Sequence, residues 1–173
     1  MPSIEERLAA LEQEVQVQRD HIAIRQVIAS YGPLVDTSDR IERSRNLAKL
    51  WTEDGVYDIG GVGSCQGHEA IAAVFGERHF GQVPEGVCHV MGLPYVSVTG
   101  DEAVALNYSC VFRPDGEERF FPWRVSANRW DMVRQDGRWL IRRRTNRLMT
   151  GEADTLAMLR GIDAMVGDSS QAE

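Results

Sequence analysis

The second half of the chain contains four stretches whose composition is typical of β-strands. They cover residues 89–98, 103–112, 120–133 and 139–149. Short turns separate them, with TGD at 99–101, PDG at 114–116 and QDG at 135–137. Two of these turns contain Asp-Gly, a strong hairpin signal because both residues tolerate the positive φ that tight turns need. The pattern predicts an antiparallel meander.

The first residues of the chain favour a long helix. Ser3 and Glu6 have the spacing of a capping box, which marks a helix start. Apolar residues then recur at heptad-like spacing, at Ile4, Leu8, Leu11, Val15 and Ile22. We expect residues 1–20 to form a helical arm that packs on a neighbouring element or subunit. From Ile22 onward the apolar stripe broadens, which predicts that the helix enters the core.

Shorter elements lie between the long helix and the strands. The sequence predicts a second helix over 40–51, a short strand over 56–59 and a third helix over 68–75, with a last short helix over 154–165. Because helices come first and strands follow, the expected class is α+β, with three N-terminal helices packed on a curved, mainly antiparallel sheet. The main domain is expected over 21–150, followed by a C-terminal helix and tail over 151–173.

Composition excludes several kinds of protein. A chain of 173 residues is long enough for one buried core. The net charge of −7 and the pI near 5.1 disfavour a nucleic-acid partner, because no positive field attracts phosphate. Apolar runs are too short to span a membrane, and the N-terminus does not resemble a signal peptide. We therefore expect a cytoplasmic protein without membrane partners.

Motifs for metals, nucleotides and serine nucleophiles fail in detail. The Gly-rich segment GGVGSCQG, residues 60–67, lacks the spacing and the lysine of a phosphate-binding loop, so we expect a flexible loop. It also lacks the GxSxG pattern of a nucleophile elbow. The three cysteines have no CxxC spacing and the four histidines no HxH or HxxxH spacing. We therefore expect neither a metal nor another cofactor.

Three polar residues are the candidates for chemistry. Tyr31 and Asp36 are five residues apart near the end of the first helix, and the intervening Gly32-Pro33 is expected to loosen that end. A carboxylate is unfavourable at the negative end of a helix, so Asp36 requires a compensating partner. His89 opens a strand among apolar residues, where a neutral imidazole needs hydrogen bonds. Ordinary structural roles remain the alternative for all three.

Several longer stretches resemble one known family. They are IRQVIASYGPLVD, LAKLWTEDGVYD, QGHEAIAAVF, CHVMGLPYVSV and DGRWLIRRRTNR. Together they resemble the SnoaL-like group of the nuclear transport factor two-like superfamily over about residues 20 to 150. LWTEDGVYD, the passage from helix to strand, is the most specific of them. The resemblance implies a cone-shaped α+β barrel in which a bent sheet and three helices enclose an apolar cavity.

Within this group the chain is most similar to the branch that contains scytalone dehydratase, bile acid 7α-dehydratase and lindane dehydrochlorinase. The resemblance implies catalytic roles for Tyr31, Asp36 and His89, and for Arg144 on the last strand. Strand alternation from Trp139 and Ile141 instead favours Arg143, unless a bulge shifts the strand. The residues expected to line the substrate pocket are Trp51, Tyr57, Phe75, Met91, Tyr108, Phe121 and Trp123.

The resemblance implies a lyase that works without a cofactor. An Asp-His dyad would remove a proton from a small hydrophobic molecule that contains a ring, and a dehydration or related elimination would follow. An isomerase of the same fold is one alternative. A non-catalytic ligand-binding protein, or an accessory protein like the small subunit of a dioxygenase, is another.

Association of the chain with copies of itself is expected on either interpretation. The sequence predicts an outer sheet face too rich in aromatic residues for a monomer, with Phe112, Phe120, Phe121 and Trp130. Relatives in this group form trimers or dimers. A trimer is the favoured expectation, and a dimer is the alternative.

Overall fold

The computed structural model describes residues 1–38, 41–60, 62–78, 86–116 and 118–169. Within these ranges four helices are present: α1 (Ile4–Asp36), α2 (Ile41–Ala48), α3 (His68–Ala73), which continues into a π-helical turn at Val74–Arg78, and α4 (Ala153–Ser169). Seven strands accompany them: β1 (Trp51–Ile59), β2 (Gly63–Gln66), β3 (Cys88–Met91), β4 (Tyr95–Thr99), β5 (Glu102–Pro114), β6 (Phe120–Gln135) and β7 (Arg138–Leu148). The predicted α+β class is confirmed.

The seven strands of the described ranges form one curved sheet. Its order is β2-β1-β7-β6-β5-β3, and β4 also pairs with β5. All neighbours are antiparallel except β1 and β7, which run parallel. Strands β5, β6 and β7 form the predicted antiparallel meander, and the two Asp-Gly turns lie between them. In the second turn Asp136 has a φ of 49° and Gly137 a φ of 74°, the left-handed conformations that this residue pair tolerates.

Helix α1 is a continuous helix of 33 residues. The predicted capping box is present, because Ser3 and Glu6 each accept a hydrogen bond from the other's backbone N–H. Residues 1–19 are exposed, and burial begins at Asp20. There the carboxylate accepts hydrogen bonds from Arg134 and Trp139. Burial works to raise the pKa of Asp20, but these bonds outweigh it and the pKa lies below its ordinary value.

The core lies between the helices and one face of the sheet. Its fully buried members include Ile24 and Ile28 of α1, Leu47 of α2 and Ile71 of α3. The sheet contributes alternate residues of its strands, because successive side chains point to opposite faces. Trp130 is completely buried on this inner face, so its predicted place on the outer face is wrong. Among the described residues no helix is both long and apolar enough to cross a membrane.

Several predicted elements differ from the structure. The second helix ends at Ala48 and the following strand begins at Trp51. The predicted flexible loop contains strand β2, which pairs with β1. The predicted strand over 89–98 is divided into β3 and β4. Gly92 lies between them, at a position where a Cβ atom would press on the carbonyl oxygen of Tyr108 and where glycine is therefore favoured. Residues 40 and 170–173 of the predicted elements lie outside the described residues.

Candidate active site

Asp36 and His89 form a close pair at the end of α1. The Nδ1 atom of His89 lies 2.5 Å from one carboxylate oxygen of Asp36, and the backbone N–H of His89 donates to the other oxygen at 2.9 Å. These two donors compensate the carboxylate for its position at the negative end of the helix. The side chains are 22% exposed for Asp36 and 16% for His89. Both therefore remain within reach of solvent.

Gly32 explains how the helix comes so close to the strand. A Cβ atom at position 32 would collide with the backbone carbonyl oxygen of His89. Glycine is therefore required here for contact between backbones, rather than for a loosened helix end. The helix continues through Pro33 to Asp36, so the predicted loosening is wrong. The close approach of α1 to β3 brings Asp36 onto His89.

The hydrogen bond to Asp36 fixes which nitrogen of the His89 imidazole carries the proton in the neutral ring. A carboxylate only accepts hydrogen bonds, so Nδ1 of His89 is the protonated nitrogen in the neutral ring. Nε2 is then the basic nitrogen, and the adjacent carboxylate stabilises the imidazolium that forms when Nε2 takes a proton. A partly exposed Asp-His pair of this kind can act as a general base.

Arg144 is buried in a second cluster, which is made of aromatic rings. Its guanidinium carbon lies 4.0 Å from the ring centre of Tyr31, 4.3 Å from that of Trp130 and 4.9 Å from that of Tyr57. We call Arg144, these three rings and the adjacent Trp51 and Phe75 the aromatic cage. Stacking on ring faces stabilises a desolvated cation.

Arg144 faces inward because β7 carries a bulge. Asp131 pairs with Arg143, but the next residue, Met132, pairs with Ile141, so Arg142 is an extra residue between them. The bulge reverses the alternation that favoured Arg143. Arg143 and Arg142 are exposed on the outside, where they pair with Asp58 at 3.2 Å and with Glu102 at 2.5 Å.

Asn128 holds the guanidinium of Arg144 in place. Its side-chain oxygen accepts bonds from Nε and Nη2 of Arg144, at 3.2 and 2.8 Å, and a third from Asn146 at 2.9 Å. Among the described residues no carboxylate pairs with Arg144, and its Nη1 atom is buried without a partner. The indole nitrogen of Trp51 is likewise buried with no partner in the described part of the chain. The cage therefore has more donors than acceptors.

Tyr31 and Tyr57 add hydroxyl groups to the cage. Their oxygens are 3.2 Å apart, and either can donate to the other. Burial raises the pKa of Tyr31 well above its ordinary value, although the charge of Arg144 acts in the opposite direction. Tyr31 therefore stays protonated near neutral pH. Two hydroxyls that share one hydrogen bond keep a second proton for another acceptor.

The remaining predicted pocket residues separate into two groups. Trp51, Tyr57 and Phe75 lie in the cage, and Met91 packs against the same core. Tyr108, Phe121 and Trp123 are exposed on their strands and do not belong to the cage, so their place in a substrate pocket stays a prediction. Tyr108 points outward because its neighbour Asn107 points inward. Trp123 instead lies under the guanidinium of Arg113, 4.6 Å from its carbon.

Sequence reasoning missed the asparagines that organise the cage. Asn107, Asn128 and Asn146 are direct neighbours on β5, β6 and β7. Asn107 accepts a bond from the indole of Trp130, which orients one wall of the cage. The sequence does contain a signal, since each of three adjacent strands has an asparagine at a buried position. Recognising that these positions are neighbours requires the register of the hairpins.

No cluster of three metal-binding side chains occurs within the described ranges.

The helices and the curved sheet define a protein of the NTF2-like class, with a cystatin-like fold. Residues 16–145 match the SnoaL-like domain, and the chain belongs to that family. This confirms the resemblance seen in the sequence. An NTF2-like protein with a cystatin-like fold from Novosphingobium aromaticivorans is 36% identical, with a TM-score of 0.80 over 92% of this chain and 98% of that one.

Two structures whose names state an activity are more distant. A predicted scytalone dehydratase from Novosphingobium aromaticivorans is 19% identical, with a TM-score of 0.63 over 81% of this chain and 89% of that one. A type 2 hexachlorocyclohexane dehydrochlorinase is 15% identical, with a TM-score of 0.65 over 79% and 89%. At these identities the likeness extends to the fold alone. No curated protein sequence matches the chain.

Proposed function

We propose that the protein is a lyase that removes water or halide from a small hydrophobic molecule containing a ring, with no metal or organic cofactor. The observation that carries the proposal is the hydrogen-bonded pair of Asp36 and His89, which is partly exposed. Two structural neighbours, a predicted dehydratase and a dehydrochlorinase, carry names for reactions of this type. Fold likeness alone does not assign a reaction, so the proposal depends on the residues.

The dyad would perform the proton transfer. Nε2 of His89 takes a proton from a carbon atom of the substrate, and the electrons of the broken C–H bond form a new C=C bond. The leaving group departs from the neighbouring carbon with its bonding electrons, as halide or as hydroxide. The imidazolium then returns its proton to hydroxide, giving water, or to solvent. Asp36 stabilises the imidazolium during the reaction.

The aromatic cage would stabilise the negative charge that develops on the substrate. Nη1 of Arg144 and the indole N–H of Trp51 are buried donors that have no partner among the described residues, and the protonated Tyr31 adds a third donor group. Donors that are already in place stabilise an oxyanion at little cost in reorganisation. Tyr31 and Asp36 are five residues apart on α1, about 7.5 Å along a helix axis. The proposal requires a ring-containing substrate whose carbonyl oxygen reaches the cage donors while its acidic carbon lies at Nε2 of His89.

The test is turnover by two dyad variants on a panel of β-hydroxy and β-halo ring compounds. We expect His89→Ala and Asp36→Asn to lose about two to four powers of ten in kcat, the usual contribution of a positioned base. His21→Ala is the matched control, because His21 lies elsewhere on α1, and it should keep full turnover. The new double bond is followed by its ultraviolet absorbance. Full activity of both dyad variants on an accepted substrate would exclude the dyad mechanism.

The same dyad with a substrate lacking a leaving group would perform an isomerisation. Proton removal and its return to a different carbon need the same base and the same donors. Solvent deuterium incorporation distinguishes the outcomes, because an isomerase labels the product at the carbon that receives the proton. An elimination produces a smaller molecule and releases halide or water.

A ligand-binding role without catalysis is the second candidate function. It is favoured by the burial of the cage donors, because Tyr31, Trp51 and Arg144 are each at most 2% exposed and this packing closes them to a reacting substrate. Calorimetric titration with the same ring compounds separates this role from catalysis. Tight binding by wild type and by His89→Ala, with no product from either, would identify a binding protein.

A further inference from the structure

The exposed half of α1 carries a row of apolar side chains. We call residues 4–19 the arm, and its apolar stripe consists of Ile4, Leu8, Leu11, Val15 and, just beyond the arm, Ile22. These five side chains are 47% to 83% exposed. An arm of 16 residues projects about 24 Å. Leaving such a stripe in water is unfavourable, so the arm has the character of a contact surface.

The stripe follows the spacing of a coiled coil. Successive members are separated by four, three, four and seven residues, which puts Ile4 and Leu11 at d positions and Leu8, Val15 and Ile22 at a positions. Gln18 fills the remaining d position, a single polar interruption of the kind that fixes the register of a coiled coil. A stripe at positions a and d matches the same stripe on another helix.

The charges beside the stripe specify which helix fits. The g positions hold Arg7 and Glu14, and the e positions hold Glu5, Glu12 and Arg19. In a parallel pair each g residue faces the e residue five positions later on the other helix. Arg7 then meets Glu12 of a second copy, and Glu14 meets Arg19 of that copy. Both contacts are attractive, and symmetry repeats them on the other side.

An antiparallel pair of arms does not bring opposite charges together at all of these flanking positions. It brings g positions to g positions and e positions to e positions. In the alignment that places Leu8 on Leu11 of the other copy, Arg7 is near Glu14, which is favourable. However, Glu5 then lies near Glu12, and the like charges repel. The attractive and repulsive contacts cancel, so charge favours the parallel arrangement.

We propose that the arm is a self-association element, which joins copies of this chain through a parallel, in-register coiled coil. The arm alone is short for a stable helix. It is, however, the continuation of a helix whose second half is packed in the core, so no separate nucleation is required. The partner is a second copy, because the stripe and both flanking charge pairs are complementary to themselves.

Covalent trapping tests the orientation. Leu11→Cys places a thiol at a d position, where the two side chains of a parallel in-register pair meet within disulfide reach. Under mild oxidation we expect a covalent dimer at twice the chain mass. Gln13→Cys is the matched control at the outward f position and should remain uncrosslinked, as should wild type with its own cysteines. Equal crosslinking of the two variants, or none by Leu11→Cys, would overturn the proposal.

Sedimentation tests the energetics in solution. Leu11→Glu should raise the dissociation constant of the assembly at least tenfold, whereas Gln13→Glu, the same new side chain on the outward face, should leave it unchanged. Arg7→Glu and Glu12→Arg should each weaken assembly, and the double variant should recover it. Far-ultraviolet circular dichroism verifies that each variant stays folded.

Two other outcomes would contradict the proposal. A wild-type chain that stays at its monomer mass of 19.4 kDa at every concentration has no such element. If Leu11→Glu weakens assembly but Leu11→Cys forms no disulfide, the stripe packs on a different surface of the neighbouring copy, such as the exposed sheet residues around Tyr108. In that case the arm is not a coiled coil.

Discussion

The candidate site contains two sets of polar side chains, the Asp36-His89 dyad and the buried Arg144, and the fold stabilises them in opposite ways. Asp36 and His89 are partly exposed, and each supplies what the other needs. Arg144 is almost fully buried, and among the described residues its charge is balanced by ring faces and one amide oxygen rather than by a carboxylate. The dyad is a base with its own carboxylate partner, whereas the cage has more donors than acceptors among the described residues. Such a division is what an elimination requires, since one end takes a proton and the other receives negative charge.

The largest effect is expected at the support of Arg144. Asn128→Ala removes the amide oxygen that accepts two hydrogen bonds from Arg144, and within the described part of the chain it leaves the buried cation with aromatic contacts. We expect a loss of about 3 kcal/mol in the free energy of unfolding, measured by urea denaturation. Arg144→Met should cost less than about 1 kcal/mol, because it removes the charge itself. If Arg144→Met is the more damaging variant, the cage stabilises the fold through the cation.

A smaller effect is expected where the dyad is assembled. Gly32→Ala puts a methyl group against the carbonyl oxygen of His89, so α1 must move away from β3. We expect a loss of about 2 kcal/mol, typical of overpacking. Gly161→Ala in α4 is the control, because a methyl group there would have 3.8 Å to its nearest neighbour, and it should be neutral or slightly stabilising. Equal stability of wild type and Gly32→Ala would mean that the contact is not tight.

Breaking the dyad itself should cost less stability. Asp36→Asn keeps the shape of the side chain but removes the charge and one acceptor for the two donors of His89. Because the pair is partly exposed, water replaces part of what is lost, and we expect about 1 kcal/mol in urea denaturation. The far larger loss of turnover expected for this variant would separate its chemical role from its structural one. A loss of 3 kcal/mol or more would make the dyad a structural element.

The smallest effect concerns alkaline pH. Because the pKa of Tyr31 is raised in the folded protein, its stabilising contribution is fully present below the pKa of an unfolded tyrosine, about 10, and is lost as pH rises above that value. Tyr31→Phe should therefore flatten the decline of unfolding free energy at alkaline pH. Absorbance at 295 nm should show one tyrosine fewer that ionises only on unfolding. If the unfolding free energies of wild type and Tyr31→Phe decline identically at alkaline pH, Tyr31 is in contact with water.

Much of the fold was predictable because its signals are local. The capping box of Ser3 and Glu6 and the Asp-Gly turns act within a few residues, so they are legible without knowledge of the neighbours. The pairing of Asp36 with His89 was predictable in outline. A carboxylate at the negative end of a helix needs a donor, and the family resemblance indicated which histidine supplies it.

The sequence by itself determined the α+β class and the order of the strands in the meander, and the family resemblance indicated Asp36 and His89 as a pair. Tertiary structure alone decided that Arg144 faces inward and Arg143 outward, because one extra residue in β7 reverses the alternation. It also left Tyr108, Phe121 and Trp123 exposed and made Asn107, Asn128 and Asn146 direct neighbours on adjacent strands. The physical reason is that the side-chain period of a strand is two, so a shift of one residue in pairing changes the face of every residue that follows.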